Sequence, residues 1–140
     1  MSYTRILIHC VWTTKDRKRT ILPVIRKELI QHFIEYANAK EIHLLEVNVW
    51  ENHCHALISL GRNQTIAEIM RMMKGESSHW LNNSGKLPFK FLWQDDYYAV
   101  SVSESHMKAV YRYIRGQEVH HKKMSWEEEL NLFLAKYPNS

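Results

Sequence analysis

The first stretch of the chain, residues 3–14, alternates. Ile6, Ile8, Cys10 and Trp12 fall on one side, and Leu7, His9 and Val11 on the other. A period of two with apolar residues on both sides predicts a strand buried on at least one face. After a basic turn, Lys15-Asp16-Arg17-Lys18-Arg19, the period changes. Ile25, Leu29, Phe33 and Ala37, with Ile30 and Ile34 beside them, recur at helical spacing and predict an amphipathic helix over 24–40. Residues 42–51 return to alternation, with Leu45, Val47 and Val49 on one side. Asn52 marks a tight connection, and 53–60 reads as a third strand. Its faces differ sharply: Cys54, Ala56, Ile58 and Leu60 are apolar, and His53 and His55 lie opposite them.

Thr65-Ile66-Ala67-Glu68 has the form of a capping box, opening a helix whose stripe is Ile66, Ile69, Met70, Met73 and Trp80. The polar run Asn82-Asn83-Ser84-Gly85-Lys86 ends it. Residues 89–103 are predicted as strand, broken at Asp95-Asp96. A third helix begins near Ser103, with Met107, Val110, Tyr111 and Ile114 as its core stripe. Ser125-Trp126-Glu127-Glu128 caps a last short helix that turns Leu130, Phe133 and Leu134 inward. The order predicts an α+β fold. It is a ferredoxin-like or RRM-like βαββαβ antiparallel sheet with additional C-terminal helices, in one domain spanning 1–140.

Composition narrows the function classes. With 140 residues, 45% of them apolar, the chain can bury one core. Lys and Arg number 19 against 15 Asp and Glu, a net +4 that suits a polyanionic partner without requiring one. No apolar run reaches the roughly 18 residues a membrane helix needs. The N-terminus has no charged region followed by a cleavable apolar stretch, so a cytoplasmic, non-membrane protein is expected. Cys10 and Cys54 are too few for a disulfide scaffold and are expected as free thiols packed like small hydrophobes. Neither a GxxxxGK[ST] loop nor a GxGxxG run is present, so no nucleotide cofactor is expected. Any bond-joining activity would therefore have to conserve energy without ATP.

Three constellations could carry chemistry. His53 and His55, two apart on a strand, project together and could share a divalent ion, or could be two polar residues on a solvated face. Tyr113 and Gln117 stack four apart on the third helix, off its core stripe, where the amide could offer an oxygen to a metal. The plain alternative is a surface tyrosine. Gly116, read as lying inside that helix, costs about 1 kcal/mol relative to alanine and points to close approach or mobility. The pair His120-His121 with Lys122 and Lys123 suits a helix C-terminus and could contact phosphate. Lys15, Arg17, Lys18 and Arg19 could be a solvated turn or a grip on a nucleic-acid backbone. An exposed Trp93 could stack on a base, although most such residues are core.

Taken together, these residues resemble a known family. His53-Cys54-His55 on a central strand, followed sixty residues later by Tyr113-Ile114-Arg115-Gly116-Gln117 on a helix, resembles the HUH single-tyrosine transposases. That family comprises the transposases of the smallest bacterial insertion sequences and related palindrome-associated enzymes. Similarity extends through Phe91-Leu92-Trp93-Gln94, residues 97–103, residues 117–123 and Trp126-Glu127-Glu128-Glu129-Leu130.

The resemblance implies a metal-dependent enzyme that cleaves and rejoins single-stranded DNA at hairpin-marked ends. Tyr113 would be the nucleophile, forming a 5′-phosphotyrosine. His53, His55 and Gln117 would hold Mg²⁺ or Mn²⁺, and no ATP would be needed. The resemblance further implies a homodimer, with Tyr113 and Gln117 of one chain completing the His53 and His55 site of the other. Two rival functions share parts of the pattern. One is a replication-type HUH nicking enzyme, which usually carries further domains. The other is a non-catalytic DNA- or RNA-binding module using the sheet as a platform.

Overall fold

The computed structural model describes residues 2–116 and Glu128. Gln117, His120, His121, Lys122 and Lys123, and the last helix predicted after Ser125, with Leu130, Phe133 and Leu134, lie outside the described residues.

The elements are β1 (Ile6–Thr13), α1 (Pro23–Ala39), β2 (His43–Val49), β3 (His53–Leu60), α2 (Ile66–Asn83), β4 (Tyr98–Val102) and α3 (Met107–Arg115). The four strands form one sheet in the order β2-β3-β1-β4, with every neighbouring pair antiparallel. This is the ferredoxin-like βαββαβ arrangement that the alternation predicts. The central strands β1 and β3 are buried over most of their length.

Period-two alternation gives the sheet two different faces. On one, Cys10 lies opposite Ala56, Ile8 opposite Ile58 and Trp12 opposite Cys54. The stripe Ile25, Leu29, Phe33 and Ala37 of α1 covers these residues together with Ile69, Met70, Met73 and Leu81 of α2. Pro23 opens α1, where its fixed φ suits a first turn and its missing N–H removes no helical bond. Thr65 caps α2 by accepting a hydrogen bond from the Glu68 backbone N–H at 3.2 Å. On the opposite face, Leu7, Leu57 and Val102 pack against Ile114, with Met107, Val110, Tyr111 and Tyr113 around them. The third helix therefore closes the second face of its own sheet.

Three details differ from the sequence pattern. A β-bulge between Leu44 and Glu46 shifts the register of β2. The extra residue sends Leu45 to the α3 side, while Val47 and Val49 stay in the α1/α2 core. The strand predicted over 89–103 shrinks to β4, because the preceding segment bonds to other elements. Asn82 of α2 accepts from the Phe91 N–H at 2.6 Å and donates to its carbonyl at 3.0 Å. Beyond it, Trp93 makes only a single bridge to Thr14. Trp93 itself is core rather than exposed, with its Nε1 donating to Ser77 Oγ at 2.9 Å. Finally, Gly116 is not inside α3 but caps it, its N–H donating to the Arg112 carbonyl at 3.0 Å. No helical penalty applies there.

Candidate active site

The strand β3 turns both histidines to the α3 face, and α3 turns Tyr113 back onto them. The rings of His53 and His55 lie 5.1 Å apart, centroid to centroid, at an interplanar angle of 77°. Tyr113 sits edge-on to His55 at 5.5 Å. His53 and His55 are both buried, which corrects the reading of an open, solvated strand face. Tyr113 of α3 lies over His55.

That helix is held at its C-terminal end. Ile114, the last residue of the helix stripe and next to Tyr113, is fully buried against Leu7 and Leu57. Asn48 of β2 donates through Nδ2 to the Ile114 carbonyl at 2.9 Å, one of the carbonyls a helix end leaves without an internal partner. Arg115 Nε pairs with Glu46 Oε2 at 2.7 Å. Tyr111, the other aromatic on this turn, faces elsewhere. Its hydroxyl accepts from Arg115 Nη2 at 2.8 Å, and the guanidinium lies 4.4 Å from the ring centroid. Of the two tyrosines, Tyr113 is the one whose ring meets His9 and His55. Within one chain, α3 places Tyr113 against His55.

A residue that spacing alone does not single out joins the cluster. His9 of β1 lies diagonally across from His55, on the same face, and its Nε2 is 2.9 Å from His55 Nδ1. Its ring stacks on His55 at 5.2 Å and meets Tyr113 edge-on at 6.0 Å. Burial pushes the His9 imidazole down to about 3, so it is neutral near pH 7. The sequence signal was its position on the α3 face of β1, which becomes informative only once β1 is paired with β3.

Asn52 is the second such residue. Its Oδ1 is 2.8 Å from His53 Nδ1, while its Nδ2 donates to the Arg17 carbonyl at 3.2 Å. Arg17 belongs to a strained turn: Asp16 and Arg17 take φ of 57° and 55°, a region that costs side-chain-bearing residues about 1–2 kcal/mol each. The turn is fastened by the Arg17 N–H to the Thr14 carbonyl at 2.9 Å and the Asp16 N–H to Gln94 Oε1 at 3.1 Å. Lys15, Lys18 and Arg19 are exposed on it. Beside it lies a cleft of about 400 Å³, lined by Thr13, Asp16, Arg17, Gln94, Asp96 and Tyr98 among others. Thr13 pairs directly with His53 across the sheet, so this cleft starts next to the histidines.

The chemistry of the donor set fits a divalent ion in part. Two imidazoles from one strand face can share an ion, and each has its Nδ1 engaged, which leaves Nε2 as the ligand atom. Among the described residues no cluster of three or more His, Cys, Asp or Glu is placed to hold a metal. A third ligand would have to come from elsewhere.

The IS200-like transposase family model matches residues 2–117 of this chain. The chain belongs to the IS200-like transposases. A curated relative, the ISDra2 transposase TnpA of Deinococcus radiodurans, is 24% identical over 114 residues, covering 78% of this chain and 81% of that protein. A crystal structure from Deinococcus radiodurans, assigned as a transposase, superposes with a TM-score of 0.67 at 21% identity, over 83% of this chain and 93% of the other. A tyrosine transposase associated with REP sequences, solved bound to a REP hairpin, superposes with a TM-score of 0.65 at 15% identity, over 86% and 72%. The structural likenesses confirm the α+β fold of an IS200-like transposase. Membership makes the chain a DNA-processing enzyme of transposition. Among the described residues, no helix is long and apolar enough to cross a membrane.

Proposed function

We propose that this IS200-like transposase cuts and rejoins single-stranded DNA with Tyr113 as nucleophile, next to a divalent ion held by His53 and His55. The observation that carries the reading is the contact of Tyr113 with His55, at 5.5 Å between ring centroids within one chain. Tyr113 Oη attacks the scissile phosphorus, a P–Oη bond forms, and the P–O3′ bond breaks. The phenol loses its proton to solvent and the departing 3′ oxygen takes one up, giving a 5′-phosphotyrosine and a free 3′-OH. Attack by another 3′-OH reverses the step and releases Tyr113. The ester retains the bond energy, so joining needs no ATP.

A phenol with a pKa of about 10 is a weak nucleophile near neutrality. An Mg²⁺ or Mn²⁺ ion, when bound, would polarise the phosphodiester and stabilise the leaving oxygen. His53 and His55 would hold that ion as neutral ligands, leaving its charge to the phosphate. Gln117 is proposed as the third ligand, on the strength of its match to the family motif. The exposed Lys15, Lys18 and Arg19, with Arg17, and the C-terminal Lys122 and Lys123 would contact the DNA backbone. The REP-bound relative supports a hairpin as the DNA form. Two chains forming a homodimer would give two equivalent sites, as joining two ends requires.

The test is incubation with single-stranded hairpin DNA and Mn²⁺, followed by denaturing electrophoresis. Wild type should give a denaturant-resistant protein–DNA adduct. Tyr113→Phe should give none while binding the hairpin within about two-fold of wild type, and Tyr111→Phe should still react. An adduct from Tyr113→Phe would remove this residue as nucleophile. Mixing Tyr113→Phe chains with His53→Ala/His55→Ala chains tests how the sites assemble: restored cleavage marks a site shared between two chains, and no recovery despite subunit exchange marks a tyrosine that serves its own histidines.

A further inference from the structure

Both histidines proposed to hold the ion have Nδ1 in contact with a second residue, an amide for His53 and an imidazole for His55. For His53 the polarity of that contact is fixed by the surroundings. Asn52 Nδ2 donates to the Arg17 carbonyl at 3.2 Å, so the amide oxygen is the atom facing the ring, and His53 Nδ1 must carry the proton it donates over 2.8 Å. The lone pair of His53 is then on Nε2. For His55 the partner is another imidazole, His9, with Nε2 at 2.9 Å from His55 Nδ1. A neutral imidazole either donates or accepts at each nitrogen, so two arrangements are open to this pair. If His9 donates, His55 carries its proton on Nε2 and cannot ligate there. If His9 accepts, His55 carries its proton on Nδ1 and presents Nε2, as His53 does.

We infer that His9 and Asn52 are positioning residues: they accept hydrogen bonds from His55 and His53 and hold both rings in the Nδ1–H form, Nε2 turned to the metal. The inference rests on the metal-dependent reading above. Neither residue touches DNA or the ion in this arrangement. His9 comes from β1 and Asn52 from the turn entering β3, so the sheet pairing itself sets the orientation of both rings. His9 is also stacked on His55 and fully packed beneath Tyr113, which keeps its acceptor atom from swinging away. Partners that orient metal-ligating histidines are typically worth 10–100-fold in metal affinity.

Two measurements test this. Long-range ¹H–¹⁵N spectra of the metal-free wild-type protein should show His53 and His55 as Nδ1–H tautomers. An Nε2–H form of His55 overturns the inference without reference to any variant. Mn²⁺ affinity, read by calorimetry in the presence of a hairpin too short to be cleaved, should fall about 10–100-fold in His9→Leu. His9→Gln, whose amide oxygen can accept from His55 Nδ1, should recover most of it. Hairpin affinity should stay within about two-fold in both. Wild-type Mn²⁺ affinity in His9→Leu overturns the role of His9 while leaving the metal reading intact. A wild-type protein that takes up no Mn²⁺, yet shows the Nδ1–H tautomers, overturns the metal reading and with it the purpose given to His9.

Discussion

The two faces of the sheet are built from the same two strands and are buried to the same degree, yet they differ in chemistry. On the α1/α2 face, β1 and β3 contribute Ile8, Cys10, Trp12, Cys54, Ala56 and Ile58, an apolar layer in which both thiols behave as small hydrophobes. On the α3 face, the intervening residues include His9, His53 and His55, three imidazoles under a helix that carries a tyrosine. The first face is closed by two long helices of 17 and 18 residues. Among the described residues, the second is closed by the nine of α3, anchored by Ile114 and by hydrogen bonds to β2. Burial therefore does not distinguish scaffold from site here. What distinguishes them is whether the buried groups have polar work to do.

The comparison predicts that mutations on the two faces separate activity from stability. The largest effect on activity, after loss of Tyr113, is expected from His55→Ala, which should lower adduct formation by more than about 100-fold, since the ion would lose a ligand and Tyr113 its neighbour. Because His55 is buried and bonded to His9, the same change should also cost about 1–3 kcal/mol in urea unfolding. A fully exposed strand face would have made it neutral. Adduct yield near wild type in His55→Ala would remove the α3 face as the site.

On the other face, Phe33→Ala should be the mirror image. Phe33 packs edge-on to Trp12 at 5.7 Å in the centre of the α1 layer. Its removal should cost about 3–5 kcal/mol, and the fraction that remains folded at low temperature should react normally with hairpin DNA. Loss of adduct formation in fully folded Phe33→Ala would mean that the α1/α2 layer sets the site's geometry as well as its stability.

Much of this division was legible in the sequence. The stripe Ile25, Leu29, Phe33 and Ala37 and the capping Thr65 gave their helices within a residue or two, because regular spacing and local capping are properties of the chain alone. Strand β3 and the shared face of its histidines followed from the same alternation. The rest depended on pairings between distant segments. Leu45 crosses to the other face through a bulge that has no local signature. His9 and Asn52 become part of the site only when β1 lies against β3 and the turn at Arg17 folds over the Asn52 amide. The packing of Ile114 against Leu7 and Leu57 likewise joins segments far apart in the chain.

The thiols give a subtler contrast within the apolar face. Burial pushes Cys10 up to about 12 and Cys54 well above its ordinary value of 9.0. With the folded value raised, stability is complete below the unfolded value and falls as pH rises through it. Above about pH 9 each buried thiol should cost about 1.4 kcal/mol per pH unit. Unfolding monitored between pH 8 and 11 should show this slope, and it should shrink in Cys10→Ala/Cys54→Ala. Below pH 9, both thiols should react with a thiol reagent only at the unfolding rate. Rapid modification of the native protein would show that this layer opens more readily than its packing implies.

The smallest effect should come from the ion pair at the end of α3. Arg115 and Glu46 meet at 2.7 Å, but the arginine side chain is 64% exposed. An exposed pair of this kind contributes little to stability, and salt reduces it further. Hydrogen bonding to the carboxylate raises the Arg115 guanidinium and signals a favourable contact, yet solvent screens most of its consequence. If α3 is held over the histidines mainly by Ile114 and by the Asn48 amide, Arg115→Ala should barely move the urea unfolding midpoint and leave adduct formation within about two-fold. Arg115 also packs over Tyr111, so removing it would free that ring rather than Tyr113. A large loss of adduct in Arg115→Ala with stability unchanged would mean that the ion pair, not the apolar plug, keeps Tyr113 in place. The end of α3 would then be an electrostatic latch, and its grip on the tyrosine should weaken as salt is raised.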